Sequence, residues 1–308
     1  MANLLPVMIW IHGGAFVEGA GSEYDGTILA ATENVIAVTV NYRLNVLGFL
    51  TTSDATLPGN YGLWDQKLAI EWVKANIRDY GGNPDKITLF GESAGGRSIS
   101  FQMFSPHNNR KLFQRAILES GTALSLTWLN RYPNAVTDNV TDIIGCSRLE
   151  DNFMECLRSK DFTELTLAGR NTTRPMPFFP MVDGDFLPND LGYMYTNFTK
   201  NGVSAIRSQI GNFAQYELLC GWNSQEGLFY LRKYLPQLAK DYQRGITDEE
   251  LSSALSYYPF HAFSGDSYGQ TMVVESAKYF YKTRPQLSVS TGRSEAERRL
   301  DWYTDIAG

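Results

Sequence analysis

The sequence predicts an α/β fold with a mostly parallel central sheet flanked by helices. Short apolar runs without polar alternation recur along the chain, and such runs are typical of strands covered on both faces, as in a parallel sheet. Helical periodicity lies between those runs, and strand and helix in alternation is the doubly wound arrangement. Two of the runs lead directly into glycine-rich turns, at residues 12–16 and 91–95.

The predicted strands are the apolar runs at residues 7–11, 35–40, 87–90, 116–118 and 218–222. Residues 63–78 should form an amphipathic helix, because apolar side chains recur there at helical spacing. Those side chains are Leu63, Leu68, Trp72, Val73 and Ile77. A second helix is expected to follow the third strand, over Ala94–Phe104.

Residues 122–216 show helical periodicity without strong strands, and they include a proline-rich stretch at 174–180. We interpret them as a helical insertion after the strand at 116–118, packed above the sheet. A single domain covering residues 1–308 is therefore expected.

Composition and charge exclude several classes of function. The net charge of −6 and the pI of about 5.2 argue against a nucleic-acid partner, which would need a basic face. No apolar run approaches the roughly 18 residues of a membrane span. The first ten residues lack the basic region and cleavage site of a signal peptide.

Three cysteines imply at least one free thiol, and the separation of Cys146 and Cys156 suits a small disulfide loop. Three N-glycosylation sequons begin at Asn139, Asn171 and Asn197. Together these features favour a secreted or cell-surface protein. Reduced thiols and unused sequons in the cytosol remain the alternative.

Residues 91–95, Gly-Glu-Ser-Ala-Gly, fit the G-x-S-x-G nucleophile elbow. An apolar strand directly before them and a helix-forming stretch directly after give the context that this elbow requires. The sharp turn strains the serine backbone, so the flanking glycines avoid clashes. Ser93 is therefore the predicted nucleophile, protruding at the carboxyl edge of the sheet. A glycine-rich turn with an inert serine is the alternative.

The second turn, His12-Gly-Gly-Ala-Phe16, also follows an apolar strand. Acyl transfer needs backbone N–H donors directed at the tetrahedral oxyanion, and small residues allow close approach. The predicted donors are the amides of Gly14, Ala15 and Ala94.

The chain resembles the type-B carboxylesterase/cholinesterase family along essentially its whole length. The resemblance is carried, in order, by residues 10–16, WIHGGAF; 41–49, NYRLNVLGF; 59–66, GNYGLWDQ; 90–96, FGESAGG; 119–121, ESG; and 182–186, VDGDF. It implies an α/β-hydrolase fold and hydrolysis of a small carboxylic ester through an acyl-enzyme, without metal or cofactor. It also implies a Cys146–Cys156 disulfide loop and a buried Arg43–Asp65 ion pair.

By the same resemblance, Glu226 is the acid of a Ser-Glu-His triad, because residues 221–227 are similar to the segment that carries it. It would hold the imidazole in the right tautomer. Candidates for contact with substrate are Glu92 and a set of aromatic residues that could line a gorge: Trp128, Phe178, Phe179, Phe229 and Tyr230. Arg174 and Met176, at the acyl-pocket positions, argue against a narrow acetyl-selective pocket.

The catalytic histidine is not evident among the three in the sequence. His12 belongs to the oxyanion turn, and His107 is interpreted as a solvated loop residue. His261 has the right chain order but lacks the His-Gly context of the family. We therefore expect a chain that is truncated at both ends, with the family's histidine beyond Gly308 and its N-terminal segment before Met1, and with little turnover by itself.

Two functions from different classes remain open at this stage. The first is a serine ester hydrolase, and the second is a non-catalytic adhesion or binding ectodomain of the neuroligin type, which uses the same fold. The resemblance implies that such ectodomains typically lose the serine, and here Ser93, Glu226 and the oxyanion turn are all present. The sequence leaves acyl and alcohol preference and oligomeric state undetermined.

Overall fold

The computed structural model describes residues 4–123, 129–172, 178–189 and 207–223. Contacts divide the chain into two units, Met1–Leu124 with Trp128–Gly221, and Ser125–Thr127 with Trp222–Gly308. The described residues belong to the first unit, apart from Trp222 and Asn223.

The first unit contains a parallel five-stranded sheet with strand order β2-β1-β3-β4-β5. Its strands are β1 (Leu5–Ile11), β2 (Ile36–Val40), β3 (Gly82–Glu92), β4 (Arg115–Glu119) and β5 (Glu217–Gly221). The predicted α/β class and all five predicted strands are confirmed. β3 begins five residues before its apolar run, and β5 ends one residue before Trp222.

Helices connect the strands and form the insertion. They are α1 (Thr27–Glu33), α2 (Asn45–Phe49), α3 (Tyr61–Asn76), α4 (Ala94–Phe104), α5 (Pro133–Ile144), α6 (Phe153–Ser159), α7 (Phe162–Arg170) and α8 (Arg207–Phe213). Short 3-10 helices occupy Gly21–Glu23 and Ile77–Tyr80. Among the described residues, none of these helices has the length and apolar character needed to span a bilayer.

One face of the central strands β1, β3 and β4 is buried, whereas the outer strands β2 and β5 are less covered than predicted. Val7, Ile9 and Ile11 of β1 share the buried face with Ile87 and Leu89 of β3, beneath α3 and α4. β2 is only half-buried and β5 is exposed along its length. The prediction that every strand is covered on both faces is therefore wrong for these two strands.

The predicted apolar face of α3 is partly wrong. Leu63 and Val73 are buried, but Leu68 and Trp72 are 66% and 54% exposed. The buried stripe instead includes Gln66, at 0% exposure, because its amide donates to the buried Ser98 hydroxyl at 3.0 Å. A polar side chain whose hydrogen bonds are made can occupy a core position, although a pattern of apolar residues alone would not predict it there.

The described residues of the insertion form helices and no strands, as expected, and Asn60 ties the insertion to the start of α3. The Asn60 side chain donates to the Met181 carbonyl (2.8 Å) and to Asp183 (2.7 Å), and it accepts from the Met181 amide (3.0 Å). Cys146 and Cys156 form the predicted disulfide across a separation of ten residues.

The predicted Arg43–Asp65 ion pair forms but is not buried. The guanidinium makes two 2.7 Å contacts with the carboxylate, and the two side chains are 51% and 25% exposed. The Arg43 guanidinium also lies 5.1 Å from the centre of the Tyr61 ring. Solvent screening makes such a pair weaker than a buried one.

Candidate active site

The two glycine-rich turns meet at the carboxyl edge of the sheet. Ile11, the last residue of β1, is paired with Gly91 of the adjacent β3. The chain runs from β1 outward to β2 and then crosses over β1 to β3, so the strand order reverses between β1 and β3. Ligands of open α/β sheets bind at such a reversal, outside the carboxyl ends of the strands.

Ser93 lies at the predicted elbow, between the end of β3 and the start of α4. Its backbone has φ 55° and ψ −117°, a conformation that typically costs about 1–3 kcal/mol for a residue with a side chain. The Ser93 amide donates to the Glu119 carbonyl at 2.8 Å, and the Ser93 carbonyl accepts from the Arg97 amide at 2.9 Å. These bonds hold the strained residue from both sides.

Close backbone approach explains the glycines of the elbow. A β-carbon at Gly91 would lie 2.4 Å from the Ile11 carbonyl oxygen, and one at Gly95 would lie 1.9 Å from the same atom. A β-carbon at Gly121 would lie 2.1 Å from the Ser93 carbonyl oxygen. A larger residue at any of these positions would therefore push the elbow away from β1 or β4.

The predicted oxyanion turn lies directly beside the elbow. A β-carbon at Gly13 would be 3.4 Å from the Ser93 β-carbon. Gly14, Ala15 and Phe16 all have positive φ, at 103°, 54° and 63°. Within the part of the chain that the structure describes, the amides of Gly14, Ala15 and Ala94 donate to no protein acceptor. Unpaired amides beside a serine at a helix N-terminus suit a developing negative charge.

Glu92, a predicted substrate contact, is exposed next to the elbow. Its charge helps to raise the pKa of the Tyr24 hydroxyl, although burial is the larger cause. The Tyr24 ring packs on Trp10 at 4.7 Å, and Trp10 packs on Phe90 at 4.8 Å. Sequence reasoning missed Tyr24, because it approaches Glu92 only through the fold.

No histidine among the described residues forms a hydrogen bond with the Ser93 hydroxyl. His12 is buried, and its Nδ1 contacts the Gly13 carbonyl at 2.8 Å. His107 contacts Asp185 at 2.6 Å and packs on Trp64 at 4.7 Å. His107 is exposed in a turn, as the interpretation of a solvated loop residue expects, and in addition a carboxylate and a ring hold it in place.

Several predicted site residues lie outside the described residues: Glu226, Trp128, Phe229, Tyr230, Arg174, Met176, Asn197 and His261. Of the other aromatic candidates, Phe178 is completely buried and belongs to the core, so it cannot line a gorge. Phe179 is half-buried and meets the edge of Phe16 in the oxyanion turn at 6.3 Å. Among the described residues, no cluster of three metal-ligating side chains is present.

Comparison with known proteins identifies relatives along nearly the whole chain. Residues 1–304 match the family model described as Carboxylesterase family. The bile salt-activated lipase of Bos taurus is 37% identical over 319 residues, covering 98% of this chain and 49% of the relative. Neuroligin-2 of Mus musculus is 38% identical over 279 residues, covering 90% of this chain and 31% of the relative. The chain thus spans half or less of the length of these relatives.

Proposed function

Because the chain belongs to the carboxylesterase family, we propose that it carries the nucleophile and oxyanion hole of a serine carboxylic-ester hydrolase. One observation carries the proposal: Ser93, held in a strained elbow, lies beside a turn whose Gly14 and Ala15 amides have no acceptor among the described residues. Such strain persists at sites where surrounding structure enforces it.

In the proposed reaction the Ser93 oxygen attacks the ester carbonyl carbon, and its proton passes to an imidazole base. The amides of Gly14, Ala15 and Ala94 stabilise the oxyanion, and loss of one such donor typically costs roughly 3–4 kcal/mol. The tetrahedral intermediate collapses, and the proton moves from the base to the departing alcohol. Water then attacks the acyl-enzyme with the same base, which releases the acid and restores the serine.

Glu226 is proposed as the carboxylate that orients the base. Neither His12 nor His107 forms a hydrogen bond with the Ser93 hydroxyl, so neither is proposed as the base, and His261 lies outside the described residues. We therefore expect the 308-residue chain to hydrolyse esters slowly, because a serine without a proton acceptor is a poor nucleophile and loss of a triad member typically costs about 10⁴-fold or more.

The proposal is tested by covalent labelling with a fluorophosphonate, in which the serine oxygen displaces fluoride from phosphorus. Labelling should be slow in this chain, because the same lack of a proton acceptor limits attack on phosphorus. We expect the label on the tryptic peptide of residues 87–97, which contains only one serine, and no label there in Ser93→Ala. Label on other residues with none on Ser93 would exclude it as the nucleophile. Rapid burst hydrolysis of 4-nitrophenyl butyrate, abolished in Ser93→Ala, would contradict the slow hydrolysis expected of this chain and would leave His261 as the candidate base.

The second candidate function is a non-catalytic binding ectodomain, and the 38% identity with neuroligin-2 supports it. The two functions differ in what they require of Ser93. A binding ectodomain would lose nothing in Ser93→Ala and would not react with the fluorophosphonate. The strained Ser93 backbone favours the hydrolase, since an adhesion surface has no need of it.

A small-molecule carboxylic ester is the proposed substrate.

The disulfide and the sequons support a route through the secretory pathway. Detection of the Cys146–Cys156 bond in protein purified under thiol-blocking conditions from its natural source would support this route, and two free thiols there would contradict it.

A further inference from the structure

Two side chains hold the backbone of the oxyanion turn, and neither belongs to the proposed triad. His12 Nδ1 lies 2.8 Å from the Gly13 carbonyl oxygen, so Nδ1 carries the proton of this contact. The Tyr42 hydroxyl donates to the His12 carbonyl oxygen at 2.9 Å. The two rings stack with centroids 4.5 Å apart and planes 20° from parallel. The carbonyl groups of two successive residues, His12 and Gly13, are therefore each held by a side-chain hydrogen bond.

These contacts set the direction of the amides that follow. In a trans peptide the N–H points away from the C=O of the same plane. The Gly13 carbonyl shares its plane with the Gly14 N–H, so the His12 contact directs that N–H away from the His12 ring. The Tyr42 contact orients the Gly13 N–H in the same way. This is the stretch of backbone that lies against Ser93.

The environment of both rings is closed. His12 is 1% exposed and Tyr42 is 7% exposed. A β-carbon at Gly19 would stand 2.6 Å from His12 Nδ1. His12 Nε2 is buried and has no hydrogen-bond partner within the described ranges. A phenylalanine at position 12 would fill this space without leaving a buried nitrogen unsatisfied. What histidine offers over phenylalanine here is the hydrogen bond from Nδ1 to the Gly13 carbonyl.

We propose that His12 and Tyr42 are positioning residues, which hold the oxyanion turn in its strained conformation with the Gly14 amide directed at the site. The proposal rests on the hydrolase function proposed above. If this is so, removing either contact slows the reaction at Ser93 but does not weaken binding of the reagent that reacts there.

Saturation kinetics of fluorophosphonate labelling at Ser93 test this, because they separate the maximal labelling rate from the half-saturating concentration. Tyr42→Phe keeps the ring and removes the hydroxyl, and it should lower the maximal rate about tenfold. His12→Phe should lower it by about 10–100-fold, and His12→Asn, which restores a donor near Nδ1, should recover most of the loss. Half-saturation should change by less than about twofold.

Tyr216→Phe is the matched control, because Tyr216 is another buried tyrosine stacked on a ring, Phe113, at 4.5 Å. It should label at the wild-type rate. Hydrogen exchange of residues 12–19 supplies a readout that needs no reaction at Ser93. Exchange there should accelerate in Tyr42→Phe and His12→Phe and stay unchanged in Tyr216→Phe.

The two readouts separate the possible failures. If wild-type Ser93 is not labelled but exchange accelerates as expected, the hydrolase function fails while the positioning of the turn by His12 and Tyr42 holds. If Ser93 is labelled and both variants match wild type in rate and in exchange, the positioning role is overturned. An effect on half-saturation alone would also overturn it.

Discussion

The carbonyl oxygen of Ile11 lies where a side chain at Gly95 would begin. A β-carbon at Gly95 would stand 1.9 Å from that oxygen, well inside van der Waals contact. Ile11 is paired with β2 on one side and with β3 on the other, so its backbone cannot easily move away. α4 can therefore lie this close to β1 only because position 95 carries no β-carbon.

Gly95→Ala should lower the free energy of unfolding by at least about 3 kcal/mol, because overpacking against fixed backbone cannot relax through a side chain. The Ser93 label should be lost as well. Gly211→Ala is the control: nothing lies within 4 Å of that β-carbon, so alanine should stabilise α8 by up to about 1 kcal/mol. Urea denaturation measures both. A Gly95→Ala protein as stable as wild type would contradict the close approach.

The sequence predicted the fold and the two turns because their determinants are local. Apolar runs end at Ile11 and Phe90, and each leads directly into glycines. The exposed Leu68 and the buried Gln66 could not be predicted, because Gln66 is buried only through a partner on another helix. Tyr42 was missed as a contact of His12 for the same reason, since the two residues are 30 positions apart.

Gln66 and Ser98 offer a test of buried polar pairing between α3 and α4. Gln66 also accepts from Gln102 at 3.3 Å. Gln66→Leu should cost about 1–3 kcal/mol, because it leaves the buried Ser98 hydroxyl without this donor and the Gln102 amide without this acceptor. Ser98→Ala in the same background should cost less than it does alone. A double-mutant cycle by urea denaturation measures this coupling, and strict additivity would contradict it.

Asp161, the N-cap residue of α7, should contribute to the free energy of unfolding in a way that depends on pH. The Asp161 carboxylate accepts from the Thr163 amide at 2.8 Å, and hydrogen bonds from Thr163 lower the Asp161 pKa. A lowered folded-state pKa stabilises the fold above the unfolded pKa, and this contribution disappears as pH falls through the folded value. The difference in unfolding free energy between wild type and Asp161→Ala should therefore shrink as the pH is lowered from 7 to about 2. A difference independent of pH would contradict it.

The described sequons differ in their surroundings, so we expect them to differ in glycosylation. Asn171 is exposed at the end of α7. Asn139 lies in the middle of α5, and its sequon continues through Val140 and Thr141, which are both buried. Expressed through a secretory pathway, the protein should lose a glycan in Asn171→Gln and show no change in Asn139→Gln. Mobility before and after peptide N-glycosidase treatment measures this, and a glycan on Asn139 would contradict it.

The Cys146–Cys156 bond closes a short loop between α5 and α6, so its removal should destabilise the insertion. Cross-links of this kind contribute roughly 2–4 kcal/mol, mainly by restricting the unfolded chain. Replacing both cysteines with alanine should lower the free energy of unfolding by that amount. Cys220→Ala is the matched control, because this exposed thiol on β5 is free, and it should change stability by less than about 0.5 kcal/mol. Dithiothreitol should reduce the stability of wild type to that of the double variant. The double variant keeps only Cys220, so dithiothreitol should leave its stability unchanged, and a wild-type stability that is insensitive to dithiothreitol would contradict the prediction.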